Sequence, residues 1–309
     1  MKITLNLAST VITIDFQGQT KDVASVYQQL FKEFISEEQA SAFLEVSFLP
    51  DSINRRLFNT RSQYSTPEAP VLCHIPNQEV FEWLSEIGGI PGRASFRKET
   101  ICTLFLNGLL FYHPDTSRGH LYILRDGLGN FRSLYFLFWL YFTQVFGETG
   151  GCFLHAAALA KDERGSLFIG DSGAGKSTLS RLCSDYQIFS DDSPIIRSRN
   201  GGYRVYPSPF HQQDSLKGLE QKEFALGVPI IRFCFLVKDG ATFIEEIPKK
   251  EAFSMIMTRH IHFFDHLSIS AKRKLFDLFW GACDNIDSYY FHFSKGKNVC
   301  SYLARFNGG

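Results

Sequence analysis

Residues 167–178 read Leu-Phe-Ile-Gly-Asp-Ser-Gly-Ala-Gly-Lys-Ser-Thr, which fits the pattern G-x-x-x-x-G-K-[ST] at every fixed position. The three apolar residues before the first glycine predict a buried strand. Leu179 and Leu182, which follow the last threonine, predict one apolar face of a helix. A glycine-rich turn that leads into a helix points unpaired N–H groups and the positive end of the helix dipole at an anion. The stretch therefore predicts a site for a nucleoside triphosphate.

The residue types in this loop suit such a ligand. Glycines let the backbone curl around phosphate oxygens, Lys176 adds a positive charge, and the Ser177 hydroxyl can join the shell of a Mg²⁺ ion. The predicted cofactors are therefore ATP and Mg²⁺. The alternative interpretation is a glycine-rich turn that only mimics the pattern. The residues predicted to bind the nucleotide are Gly170, Asp171, Ser172, Gly173, Ala174, Gly175, Lys176, Ser177 and Thr178.

Composition excludes several classes of partner. Lys+Arg and Asp+Glu both total 32, so the formal net charge is zero and no basic surface for nucleic acid is expected. The longest membrane-like run, residues 134–142, is far shorter than the roughly 20 residues that span a bilayer, and it predicts a buried helix. We therefore expect neither a nucleic-acid nor a membrane partner.

Cysteine usage bears on the compartment. The seven cysteines include no C-x-x-C pair, which favours reduced thiols over a disulfide framework or a zinc site. The first residues also lack the long apolar stretch of a signal peptide. Both observations favour a cytoplasmic protein.

The pattern of strands and helices divides the chain into two predicted domains. Residues 1–130 predict an N-terminal α+β domain, which includes a hairpin with its turn at Asn107-Gly108. Residues 131–309 alternate strands and helices, with hairpins at 161–165, at 200–202 and between strands 230–237 and 242–247. Hairpins argue against an all-parallel sheet, so the predicted class is α/β with a mixed sheet around the loop.

Two further features flank the loop in sequence. His155 lies fifteen residues before Gly170, and Asp191-Asp192 follow the strand after the loop helix. Strand ends converge on the ligand crevice of such sheets, where a carboxylate can hold Mg²⁺ or accept the proton of an attacking hydroxyl. The alternatives are a plain Asp-Asp-Ser-Pro turn and a core histidine. We interpret both features as functional because they occur together with the loop.

This combination resembles the catalytic domain of HPr kinase/phosphorylase, and more closely the related proteins with a Leu-His-Ala-Ala-Ala segment before the loop. The resemblance covers residues 152–197 firmly and residues 203–309 loosely, and it implies a fold similar to phosphoenolpyruvate carboxykinase. It implies that residues 170–178 bind nucleotide, that Asp191 is the general base, that Asp192 is a Mg²⁺ partner and that His155 is a supporting catalytic group. The loop motif itself gives Lys176 its catalytic charge and Ser177 its contact with Mg²⁺. The roles of the two aspartates could be exchanged, because adjacent residues on a strand face opposite sides.

The resemblance does not extend to the whole chain. We find no C-terminal Arg-Pro-Gly type segment of that enzyme, and the first 130 residues do not resemble its N-terminal domain. The resemblance therefore implies neither HPr as the substrate nor the reverse phosphorolysis reaction.

The sequence thus predicts a Mg²⁺- and ATP-dependent kinase that acts on a hydroxyl, with the resemblance implying serine of a protein or peptide, including ribosomally made peptides. Enzymes that resemble this chain often associate, so a homo-oligomer is left open. One alternative is a nucleotide-binding regulatory module without transfer activity, although the Asn-Lys-x-Asp signature for guanine is missing. The other alternative is a kinase of a small hydroxylated metabolite.

Overall fold

The computed structural model describes two compact units. Contacts assign residues 1–6, 10–148 and 266–268 to the first unit, and residues 7–9, 149–265 and 269–309 to the second. The aromatic segment 131–148, which the sequence analysis placed in the second domain, therefore lies in the first unit. The described residues are 1–17, 21–48, 73–74, 101–105, 108–123, 129–183, 185–210, 216, 219, 221–294, 299, 302–303 and 306.

The first unit is built on a mixed sheet of seven described strands in the order β1-β2-β3-β7-β6-β5-β4. Strand β3 pairs in parallel with β2 and β7, whereas β4, β5, β6 and β7 pair antiparallel in succession. The strands are β1 (Lys2–Leu7), β2 (Thr10–Phe16), β3 (Ala42–Phe48), β4 (Cys73–His74), β5 (Ile101–Phe105), β6 (Gly108–His113) and β7 (Arg118–Ile123). The helices are α1 (Lys21–Leu30), a 3₁₀ turn (Lys32–Phe34) and α2 (Gly129–Glu148).

Helix α2 lies close to this sheet because two strand residues have no side chain. A Cβ atom at Gly108 would lie 2.2 Å from Leu137 Cδ1, and one at Gly119 would lie 2.7 Å from Tyr141 Cε2. The prediction of a buried helix at 134–142 is confirmed, since Leu137 and Tyr141 are fully buried. Among the described residues, no helix has the combined length and apolar character needed to cross a membrane.

The hairpin predicted around Asn107 is present, but its register differs from the prediction. Strands β5 and β6 are antiparallel, and Gly108 pairs with Phe105. Gly108 is therefore the first residue of β6 and not the second turn residue. Residues 106–107, which connect the two strands, lie outside the described residues.

The second unit is built on a mixed sheet in the order β11-β9-β10-β14-β13-β12-β8, in which β16 also pairs with β14 and β15 pairs with β16. Its strands are β8 (Gly151–Phe153), β9 (Ala156–Lys161), β10 (Arg164–Ile169), β11 (Gln187–Ser190), β12 (Ile195–Arg199), β13 (Gly202–Tyr206), β14 (Val228–Lys238), β15 (Phe243–Glu246) and β16 (Asp287–Phe293). Its helices are α3 (Lys176–Leu182), α4 (Gln221–Leu226), α5 (Lys249–Met255) with a π-helical continuation (Ile256–His260), a 3₁₀ turn (Phe264–His266) and α6 (Ile269–Asn285).

Two of the hairpins predicted in this unit are confirmed. Strands β9 and β10 pair antiparallel across Asp162 and Glu163, which have φ values of 52° and 59°. Strands β12 and β13 pair across Asn200 and Gly201, with φ values of 53° and 77°. Positive φ at both turn positions is typical of the type I′ turns that match the twist of paired strands.

The third predicted hairpin is wrong. Strand β14 does not pair with β15, because β16 lies between them, parallel to β14 and antiparallel to β15. Residues 239–242 therefore connect two strands that are not neighbours in the sheet. Mixed pairing as such agrees with the α/β class and the mixed sheet that the sequence predicts.

Candidate active site

Three chain segments meet at one edge of the second unit's sheet because of strand direction. Strand β9 is antiparallel to both β10 and β11, so β10 and β11 run in the same direction. The start of β9 therefore lies beside the ends of its two neighbours, and Ala156 pairs with Ile169. His155, the glycine loop (residues 170–175) and the Asp191-Asp192 pair consequently lie at the same edge, as the sequence predicts.

The glycine loop has a conformation that side chains would obstruct. Gly173 and Gly175 have φ values of 80° and 114°, and the Ala174 N–H donates to the Asp171 carbonyl over 3.0 Å. A Cβ atom at Gly175 would lie 2.3 Å from Cζ of Phe293, the last residue of β16. The first three loop residues after Gly170 are exposed, whereas Ser177 and Thr178 in the first turn of α3 are half-buried.

We expect Gly175→Ala to destabilise the second unit. The alanine would need a φ near 114° and would overlap the Phe293 ring, and overpacking of this kind costs roughly 1–3 kcal/mol. The matched control is Gly240→Ala, because a Cβ atom there meets nothing within 4 Å. Melting curves of the two variants make the comparison. Equal melting temperatures of the two variants would contradict this prediction, because the Phe293 ring would then move away from the added Cβ without loss of stability.

Lys176 is the buried cation of this edge. The residue is only 6% exposed. Its Nζ lies 2.9 Å from His155 Nε2, 2.7 Å from the Gly170 carbonyl oxygen and 3.3 Å from the Asp171 carbonyl oxygen. Burial lowers the pKa of Lys176, and the carboxylates of Asp192 and Asp171 oppose that shift. The amine therefore faces the loop, where a bound anion would meet it.

His155 connects Lys176 to Asp192. Its Nε2 lies 3.3 Å from Asp192 Oδ1, and the backbone carbonyl of Asp192 accepts the Ala156 N–H over 3.0 Å. Burial alone would raise the pKa of Asp192, but its contact with His155 and the positive charge of Lys176 outweigh burial and lower it. Asp192 is therefore an ionised carboxylate at neutral pH, and its side chain is 47% exposed.

The structure distinguishes the two predicted carboxylates. Asp192 makes the contact to His155, whereas Asp191 is buried, with 6% exposure. The predicted cluster thus comes together as His155, Lys176 and Asp192. The role predicted for Asp191 as a general base stays a prediction.

Three residues near this cluster were missed by the sequence analysis. Ser193 Oγ lies 3.2 Å from both Asp192 Oδ2 and His262 Nε2. The ring centroids of His262 and His260 lie 5.4 Å and 6.3 Å from that of His155. Burial lowers the pKa of both His260 and His262 to about 4, so both rings are neutral at neutral pH.

The sequence carries no periodic signal for the two histidines. His260 and His262 lie on either side of Ile261, but His260 is the last residue of the π-helical continuation, whereas Ile261 is extended. Ile261 forms an isolated bridge with Leu154, which brings the segment beside His155. This long-range pairing, and no local pattern, places the two histidines near His155, so the sequence alone did not reveal them.

The side-chain oxygens at this edge suit a metal ion that binds together with a nucleotide. No group of three or more metal-ligating side chains occurs among the residues that the structure describes. Mg²⁺ commonly takes one or two protein oxygens and completes its shell with phosphate oxygens and water. The half-exposed, ionised carboxylate of Asp192 and the Ser177 hydroxyl are suitable donors of that kind.

This chain shows limited similarity to known proteins. A family model described as "SynChlorMet cassette protein ScmC" matches residues 136–283, which is just under half of the chain. The solved structure of the Hpr(Ser) kinase/phosphatase from Coxiella burnetii is similar over 50% of this chain and 90% of that chain, with 14% identity and a TM-score of 0.27. A likeness this slight carries no argument. No match was found among curated proteins.

Proposed function

We propose that this chain is an ATP- and Mg²⁺-dependent kinase that transfers the γ-phosphoryl group to a hydroxyl, with serine of a protein or peptide as the acceptor. The observation that carries the proposal is the continuous contact from the glycine loop through Lys176 and His155 to Asp192. Phosphoryl transfer depends mainly on positioning and on charge stabilisation around the phosphates. A buried cation beside a phosphate-loop motif and an ionised carboxylate are the parts that such transfer requires.

Each residue has a proposed role. Residues 170–178 bind the nucleotide phosphates, and Lys176 neutralises charge on the group being transferred. Asp191 accepts the acceptor's proton, while His155 fixes the positions of Lys176 and Asp192 through its contacts of 2.9 Å and 3.3 Å. Mg²⁺ held by Ser177 and Asp192 would supply neutralisation of the β- and γ-phosphate oxygens.

The acceptor is proposed from the resemblance, whereas the donor is proposed from the loop and its contacts. Serine and the protein or peptide class follow from the resemblance of residues 152–197 to HPr kinase/phosphorylase. The first unit is proposed to recognise the acceptor, and the compartment is proposed to be the cytoplasm. Since the matching family model is described as a cassette protein, products encoded beside this chain are the first acceptors to test.

Incubation with γ-labelled ATP and a lysate of the source organism tests the proposal. We expect label on the serine of a protein or peptide, and no label with Lys176→Met. Label on a small molecule would favour a metabolite kinase. Binding of ATP without transfer to any component would favour a regulatory module, and absence of ATP binding would contradict all three interpretations.

A further inference from the structure

The Asp192 carboxylate is held at both of its oxygens. Oδ1 lies 3.3 Å from His155 Nε2, and Oδ2 accepts a hydrogen bond of 3.2 Å from the Ser193 hydroxyl. A side chain that is 47% exposed would otherwise exchange among rotamers. Two partners on opposite oxygens restrict the carboxylate to one orientation.

Ser193 is itself fixed by the turn that follows β11. The Ser190 hydroxyl accepts the backbone N–H of Ser193 over 2.9 Å and that of Asp192 over 3.3 Å. Both Ser190 and Ser193 are fully buried. The two backbone bonds to one hydroxyl set the direction in which the Ser193 side chain leaves the turn.

His262 completes the arrangement. A hydroxyl has one proton to donate, and an ionised carboxylate can only accept. Ser193 therefore donates to Asp192 and accepts from His262 Nε2, which lies 3.2 Å from Ser193 Oγ. This order of donors and acceptors requires the ring proton of His262 to be on Nε2.

The backbone around His262 is anchored beside His155. The His262 N–H donates to the Phe153 carbonyl over 3.1 Å, and the His155 N–H donates to the His260 carbonyl over 2.6 Å. Phe263, which follows, has a φ of 55°, so the chain turns away directly after the histidine. One short antiparallel pairing thus fixes the backbone of His155, which contacts Asp192, and of His262, which contacts Ser193.

We infer that Ser193 and His262 are positioning residues that orient the Asp192 carboxylate toward the metal of a bound Mg²⁺–nucleotide. The inference rests on the proposed function, and it adds two residues that lie outside the glycine loop and the Asp191-Asp192 pair. Neither residue needs to touch the nucleotide. Their effect is confined to the step in which Mg²⁺ strengthens nucleotide binding.

The test is calorimetric titration of the full chain with ATP, once with Mg²⁺ and once with EDTA. The ratio of the two affinities measures the contribution of the metal. In Ser193→Ala and His262→Asn we expect this ratio to fall about 10–100-fold, as is usual when the partner of a metal ligand is lost. The affinity measured in EDTA should not change, because the loop and Lys176 remain intact.

Matched variants separate positioning from general damage. His262→Gln retains an N–H near the place of Nε2 and should keep a ratio close to wild type, whereas His262→Asn has no donor there. Ser198→Ala removes an exposed serine of β12 and is the control for Ser193→Ala. If Ser193→Ala does not fold, the two His262 variants make the same comparison.

The outcomes are distinct. Wild-type ratios in Ser193→Ala and His262→Asn, or an equal loss in His262→Gln and His262→Asn, would overturn the inference while the proposed function stands. A parallel loss of affinity with Mg²⁺ and with EDTA would also overturn it, since a merely structural role predicts that result. A wild-type chain whose ATP affinity does not depend on Mg²⁺ would overturn the proposed role of Asp192 as well.

Discussion

Lys176→Met is expected to reduce phosphoryl transfer by roughly 10²–10³-fold, the usual effect of removing one group that stabilises charge in the transition state. The expected reason is geometric. Lys176 Nζ lies within 3.3 Å of two loop carbonyls and 2.9 Å from His155, so these contacts hold its charge at the loop. ATP affinity should also fall, because the same charge faces the phosphates before transfer.

Methionine is chosen because it keeps the unbranched stem of lysine in a buried position. Lys250→Met, at an exposed position of α5, is the matched control. Transfer is measured with γ-labelled ATP and the acceptor identified by labelling, and ATP affinity is measured by calorimetry. Transfer at the wild-type rate in a folded Lys176→Met variant would contradict the proposed role of the glycine loop.

The local parts of this site were predictable from the sequence because each has a short-range cause. The apolar run before Gly170, the glycine spacing and the apolar face of α3 each depend on neighbouring residues. The order of β9, β10 and β11 followed in part from the tight turn at Asp162-Glu163, which forces antiparallel pairing. His155 and the aspartates were therefore expected at the edge where they lie.

Long-range pairing was not predictable in the same way. Strand β14 pairs in parallel with β10, although Phe235 and its partner Ile169 are 66 positions apart in the chain. Strand β16 was missed because it lies between β14 and β15, and aromatic residues occupy both of its faces instead of alternating with polar residues. Its last residue, Phe293, nevertheless supports Gly175 in the loop.

The same limit explains the missed residues of the site. Residues 259–262 include the end of the π-helical continuation at His260, and they reach His155 through the isolated bridge between Ile261 and Leu154. A bridge of one residue pair leaves no periodic pattern in the sequence. The burial of Asp191 and the exposure of Asp192 likewise depend on the turn that Ser190 closes.

Asp191→Asn is expected to lower the transfer rate by roughly 10²–10⁴-fold, the usual contribution of a general base, while ATP affinity stays near that of the wild type. Asparagine keeps the shape of the side chain at this buried position and removes the basic oxygen. Asp192→Asn should instead show a loss of rate that added Mg²⁺ partly restores, because the Asp192 carboxylate is ionised, half-exposed and proposed to contact the metal.

Transfer rates measured over a Mg²⁺ titration distinguish the two variants. Rescue of Asp191→Asn, and not of Asp192→Asn, would exchange the two roles. Wild-type rates in both variants would show that the two aspartates only form a turn, and would refute the proposed mechanism.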